Sequence, residues 1–160
     1  MDAITFQTEV KQIEKLLFRI AWSYLGNNQD VEDAVQEALF KAWEKRETLR
    51  KQTQFTAWLA QILVNQCKNI LRKRKKWSMY PLEEETIWST PSSEEAPILE
   101  ALRKLKPEQR IAMTLFYVDN YSLSDIAEIL GCPVGTIKTR LYAARKQIKQ
   151  ILLVEWEEEL

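Results

Sequence analysis

Two helix-forming segments separated by only three residues, Gly131-Cys132-Pro133, constrain this chain more than any other feature. The first, Ser122 to Leu130, is short and amphipathic and opens on a Ser that can cap it. Gly131 suits the left-handed residue that follows a helix, and Pro133 suits the first turn of the next one. In the second segment Ile137, Leu141, Ala144, Ile148 and Ile151 recur at the helical period and form an apolar stripe. Lys138, Thr139, Arg140, Tyr142, Arg145, Lys146 and Lys149 lie off that stripe, and no acid occurs between Lys138 and Gln150. A short helix, a Gly-containing turn and a basic second helix form a helix-turn-helix, whose second helix can enter a DNA groove. A helical hairpin with a solvated basic face is the plainer reading of the same residues.

The rest of the chain has little room for strands. Three Gly and five Pro in 160 residues, with scant β-branched alternation, predict an all-α fold. The first helix is expected from Asp2 to Leu25, ended by Gly26-Asn27-Asn28, and the second from Gln29 or Asp30 to Lys45. A polar loop, Glu47 to Gln54, then leads to a third helix from Phe55 to Lys75. Trp77 to Pro97 holds Pro81, Pro91, Pro97 and the run Glu83-Glu84-Glu85, which favours an extended, flexible acidic linker. Four more helices follow, about Ile98–Leu105, Pro107–Asp119, Ser122–Leu130 and Pro133–Val154. The expected architecture is two small helical domains, a three-helix domain over 1–76 and a helix-turn-helix domain over 98–154. The linker is 77–97 and an acidic tail covers 155–160.

The formal charge is zero, but its distribution is not even. Residues 1–76 carry a net +5, residues 77–100 a net −6, residues 101–150 a net +5 and residues 151–160 a net −4. Local patches, rather than the total, select partners. Histidine is absent, which removes the commonest metal ligand and general base. Cys67 and Cys132 stand alone, so no zinc site, cofactor or other metal is expected. Nor is catalysis: there is no phosphate-cradling Gly loop and no nucleophile-base pair. Two isolated Cys and no cationic leader point to a cytoplasmic protein, and no apolar run is long enough for membrane insertion.

Two further constellations carry chemistry. Asp33, Gln36, Glu37 and Phe40 fall at i, i+3, i+4 and i+7 and share one helix face. Two carboxylates, an amide and an exposed aromatic suit docking on a protein; acids favouring a helix N-terminus are the structural alternative. The loop and third helix interleave Arg50, Lys51, Gln52, Gln54, Phe55, Trp58, Asn65, Lys68 and Asn69 with a basic run, Arg72 to Lys76. Aromatics stack on unpaired bases, amides bond base edges and cations follow phosphates, a mixture suited to single-stranded DNA. Phe55 and Trp58 can equally be core. The six cations between Lys68 and Lys76 would repel one another without an anionic partner.

Together these segments resemble the extracytoplasmic function (ECF) group of the sigma-70 family of bacterial RNA polymerase sigma factors. Asp30 to Trp43 is similar to region 2.2, Gln54 to Arg74 to regions 2.3 and 2.4, and Leu105 to Arg110 with Tyr121 to Arg145 to region 4. The resemblance implies an initiation factor that binds core polymerase, through the β′ clamp helices and the β flap, and promoter DNA, with an anti-sigma factor as regulator. It implies that Asp33, Gln36, Glu37 and Phe40 contact polymerase. It implies that Asn65, with Arg50, Lys51, Gln52 and Gln54, holds a flipped minus-10 base while Lys68, Arg72 and Lys73 track phosphates. Lys138, Thr139 and Tyr142 would approach minus-35 bases, with Arg140 and Arg145 on the backbone and Lys146 in the same minus-35 set. Ala143 stands where many members carry Arg, and the loop Leu49 to Gln54 lacks the Gly often found there. The competing function is a helix-turn-helix regulator that binds duplex operators and never joins polymerase; it would have no use for the amino-terminal half.

Overall fold

The computed structural model describes residues 1–77 and 96–159, and among them the regular elements are all helical. The expected linker lies almost wholly outside the described residues. The chain divides into two units, the first built on the amino-terminal four helices and the second on most of the remaining four.

The first unit contains α1 (Ala3–Gln12), α2 (Glu14–Leu25), α3 (Asn28–Glu44) and α4 (Phe55–Trp77). Asp2 caps α1: its carboxylate accepts the Thr5 amide at 2.7 Å, which holds the carboxyl below its usual pKa. The single helix expected from Asp2 to Leu25 is broken at Ile13, whose φ of −113° and ψ of 12° leave the helical region. No Gly or Pro marks the break. Packing sets it: Phe6 is directed at Trp43 and Phe55, with ring centroids 5.2 and 5.7 Å away, while Leu16, Leu17 and Ile20 are buried from α2. One straight apolar stripe cannot serve both targets. Gly26, at φ 72°, ends α2 in the left-handed conformation expected of it, and the Asn27 side chain caps α3 through the Asp30 amide at 2.9 Å.

Val31, Ala34, Val35, Ala38 and Ala42 form the buried face of α3. α3 packs on α4 and α2, where Phe55, Leu59, Ala60, Leu63 and Cys67 of α4 and Ile20, Ala21 and Leu25 of α2 are likewise buried. Each large side chain fully buried there contributes roughly 1.5–3 kcal/mol. Phe55 is therefore core, and Trp58, half-buried with its ring 5.9 Å from that of Phe55, packs on the edge of the same cluster. The polar loop holds two single 3-10 turns, Arg46–Thr48 and Gln52–Gln54. Arg46 lies 3.9 Å over the Trp43 ring and donates to the Trp43 carbonyl at 2.8 Å.

The second unit contains α5 (Ala96–Lys104), α6 (Pro107–Met113), α7 (Leu123–Leu130) and α8 (Val134–Glu159). Pro107 opens α6 at its first turn. Arg110, one turn on, reaches back and donates to the carbonyls of Leu102, Arg103 and Leu105 at 2.8–2.9 Å, satisfying the end of α5. Burial, helped by the charge of Arg103, lowers its pKa. The helix expected from Pro107 to Asp119 gives way after Met113 to a π turn, Thr114–Val118. The Thr114 hydroxyl donates to the Arg110 carbonyl at 2.9 Å, a side-chain bond that bends helices. The turn closes on Asn120, which takes a positive φ of 58°, a conformation Asn tolerates. At its far end α8 runs on through Glu159, so the acidic tail continues the helix. After Gly135 neither Gly nor Pro interrupts it, and Glu is a good helix former.

Candidate nucleic-acid interface

In the second unit the helix-turn-helix is built as its residues require. Ser122 Oγ accepts the Asp125 amide at 3.0 Å and caps α7. Gly131 has φ 67°, and the Cys132 amide returns to the Ala127 carbonyl at 3.0 Å, closing α7. Ile137, Leu141 and Ala144 are buried, which turns the remaining positions of α8 outward. Lys138, Thr139, Tyr142, Arg145 and Lys146 are exposed, Tyr142 at 68 %. Thr139 already donates its hydroxyl to the Gly135 carbonyl at 3.0 Å, which leaves its oxygen lone pairs as acceptors.

The two arginines of this set are less free than their lysine neighbours. Arg140 is half-buried, 3.8 Å from the Glu108 carboxylate and 3.8 Å from the Cys132 sulfur. Arg145 donates from Nε to the Tyr117 hydroxyl at 2.5 Å and lies 5.5–5.8 Å from the ring centres of Phe116 and Tyr117. Tyr117 belongs to the π turn and had no sequence signal as a partner of α8.

In the first unit Asp33, Gln36, Glu37 and Phe40 are all exposed on one side of α3, and Phe40 keeps 58 % of its surface. Gln29 donates to Asp33 at 3.1 Å. Of the loop residues, Arg50, Lys51, Gln52 and Gln54 are all exposed, and Gln52 donates to Glu9 of α1 at 3.0 Å. On α4, Asn65, Arg72 and Lys73 are exposed and Lys68 is half-buried. Arg72 also donates to Asn69 at 3.2 Å, one turn earlier on the same helix.

The sequence separates the acidic face from the basic helix, yet the fold sets them on one groove of about 640 Å³. Asp33 and Glu37 line it from α3; Asn69, Arg72 and Lys73 line it from α4. Lys41 joins the two helices through a 2.7 Å bond to Gln66. A carboxylate wall thus runs beside a cationic one. The expectation that the six cations of α4 lack an anion needs correcting at Arg74. Its guanidinium pairs with Asp30 and donates to the Leu25 carbonyl at 3.0 Å, so this cation is neutralised within the fold. Two buried or half-buried thiols complete the picture, Cys67 in the core and Cys132 in the turn. Among the described residues no cluster of three or more His, Cys, Asp or Glu could hold a metal ion, and no helix is long and apolar enough to cross a membrane.

Comparison with known proteins matches both units. Residues 10–77 fit the family model for sigma-70 region 2, and residues 95–148 fit that for sigma-70 region 4. The chain is 34 % identical over 137 residues to RNA polymerase sigma factor SigV of Bacillus subtilis, covering 82 % of this chain and 81 % of SigV. It is 30 % identical over 154 residues to ECF RNA polymerase sigma factor SigM of Mycobacterium tuberculosis, covering 94 % and 79 %. Among solved structures, the sigma factor RpoE in complex with the anti-sigma factor NepR from Bartonella quintana matches with a TM-score of 0.75. The identity is 31 %, over 93 % of this chain and 97 % of that one. A match over the amino-terminal unit is what a simple operator-binding regulator would lack. The chain belongs to the extracytoplasmic function group of the sigma-70 family of RNA polymerase sigma factors.

Proposed function

We infer that the chain binds core RNA polymerase and directs it to a particular set of promoters, acting in the cytoplasm and without catalysis of its own. Residues 1–76 serve as the docking and minus-10 domain, 98–154 as the minus-35 domain and 77–97 as their connector. The acidic face of α3, with Asp33, Gln36, Glu37 and Phe40, meets the β′ clamp helices, and the second domain meets the β flap. Asn65 and the loop from Arg50 to Gln54 receive an unpaired base of the melted strand, while Lys68, Arg72 and Lys73 follow its phosphates. Lys138, Thr139 and Tyr142 read base edges in the major groove, and Arg140, Arg145 and Lys146 hold the flanking backbone. An anti-sigma factor, the kind of partner present in the RpoE complex, controls access to these faces.

The observation that carries this reading is the groove whose two walls have opposite charge. A duplex-binding regulator needs neither wall. A factor that must hold a protein with one helix and a separated strand with the next needs both. The test is capture of core polymerase by the tagged chain, followed by transcription from a promoter library. Asp33→Arg should abolish capture while the melting temperature of the first domain stays put. Parallel loss of capture and melting temperature would make this face structural, and capture without promoter-selective transcription would refute the function.

A further inference from the structure

Arg74 stands apart from the other cations that close α4. Its Nη1 donates to the carbonyl of Leu25, the last residue of α2, at 3.0 Å. Its Nη2 pairs with Asp30 Oδ2, in the first turn of α3. That oxygen also accepts from the Asn27 amide at 3.0 Å, and Asn27 in turn caps Asp30. One guanidinium therefore joins three helices, and only 19 % of its side chain is exposed, against 31 % for Asp30. The placement suits both helix dipoles: a cation at the carbonyl end of α2 and an anion at the amide end of α3. A planar fork can serve two acceptors at once, which an ammonium cannot do with the same geometry.

The neighbours explain why a tie is required here. Lys68, Arg72 and Lys76 follow one another at four-residue spacing, and like charges at that spacing weaken a helix. The last turns of a helix fray most readily. A terminal segment rich in repelling cations needs an internal anchor to hold one direction.

We propose that Arg74 is a positioning residue for promoter opening: through Asp30 it fixes the phosphate-tracking end of α4 against the start of the polymerase-docking helix. Docking by α3 then sets where Arg72 and Lys73 point. The inference rests on the sigma-factor reading of the groove and adds to it a residue that touches neither polymerase nor DNA.

The test uses the full chain with core polymerase and a promoter carrying a fluorescent base in the melted segment. Arg74→Ala, Asp30→Asn and the double variant are compared for opening rate, core affinity, salt dependence and melting temperature. Each single change should slow opening about tenfold, the scale of losing one charge-assisted bond, with core affinity within about twofold. The double variant should be no slower than the worse single one, because both remove the same tie. Arg74→Lys should not restore the rate, although it restores the charge. Hydrogen exchange should quicken at the amides of residues 72–75 and not in α2.

A salt slope lowered by about one in Arg74→Ala would instead mark a direct phosphate contact and overturn the positioning role. Additive losses, rescue by Lys, or the same slowing of opening in a variant destabilised equally elsewhere in the first domain would overturn it too. Should the unaltered chain open no promoter in the library, the sigma-factor reading itself fails and takes this proposal with it. Normal opening by the unaltered chain with any of the contrary variant results sinks the positioning role alone.

Discussion

The end of α4 and the outer face of α8 present similar chemistry, and they hold their arginines differently. On α4 the guanidinium of Arg74 is largely covered and faces a carboxylate and a helix-terminal carbonyl. On α8 the guanidinium of Arg145 is exposed and rests on a neutral hydroxyl and two ring faces. Desolvation makes breaking the first tie expensive, since it would leave a charge uncompensated within the fold. The second sits in water and can exchange its partner for a phosphate at little cost. A basic helix therefore cannot be scored by counting its cations. Some belong to the fold, while Lys73 on α4 and Lys138 and Lys146 on α8 stand exposed beside them.

The largest effects should come from what anchors each helix. Phe55→Ala should destabilise the first domain by about 3–5 kcal/mol in urea unfolding, because Phe55 is fully buried among Phe6, Trp58 and the α3 face. Leu141→Ala should cost the second domain about 2–5 kcal/mol. A loss under about 1 kcal/mol at either site would mean that the helix is held by its polar ties and not by its core.

Next come the α8 residues proposed to read DNA. Lys138→Ala should shift the preferred upstream element at a cost of roughly 1–3 kcal/mol on the favoured sequence. Arg145→Ala should weaken all sequences alike and lower the salt slope by about one. Tyr117→Phe, which removes only the exposed partner of Arg145, should do less than either. Promoter-library transcription at two salt concentrations checks all three. A large loss from Tyr117→Phe would put the Arg145 tie in the same class as that of Arg74 and collapse the comparison.

The helix starts allow a finer measurement. Asn27→Ala and Ser122→Ala each remove a capping oxygen and should cost about 0.5–2 kcal/mol. Asn27→Ala should fall at the upper end, because Asn27 also donates to the carboxylate that holds Arg74. Equal costs in thermal unfolding would show that this second bond adds nothing.

The smallest contrast is between the two thiols. Burial pushes Cys67 from an ordinary 9.0 up to about 12. Its neutral form is favoured in the fold, so this contribution to stability is complete below about pH 9 and fades as pH rises toward 12. A thiol reagent at pH 8 should modify the half-buried Cys132 in the native chain and reach Cys67 only after unfolding. Labelling of Cys67 at the rate of Cys132 would show that the core of the first domain opens far more readily than its packing implies.

By itself the sequence determined the all-helical fold, the turn at Gly131, the cap at Ser122, and the outward faces of α3 and α8. Each of these is written within one or two turns of chain, where helical period, left-handed Gly and side-chain caps act over a few residues. Tertiary structure decided the rest. The break at Ile13 answers to where Phe6 must pack, and the π turn that places Tyr117 against Arg145 joins residues 28 positions apart. The pairing of Asp30 with Arg74 spans 44 positions, and the groove draws its two walls from different helices. Such contacts carry no local signature. A carboxylate at a helix start reads the same whether it caps its own helix or holds an arginine from another, and only the packing of α2, α3 and α4 brings that arginine within reach.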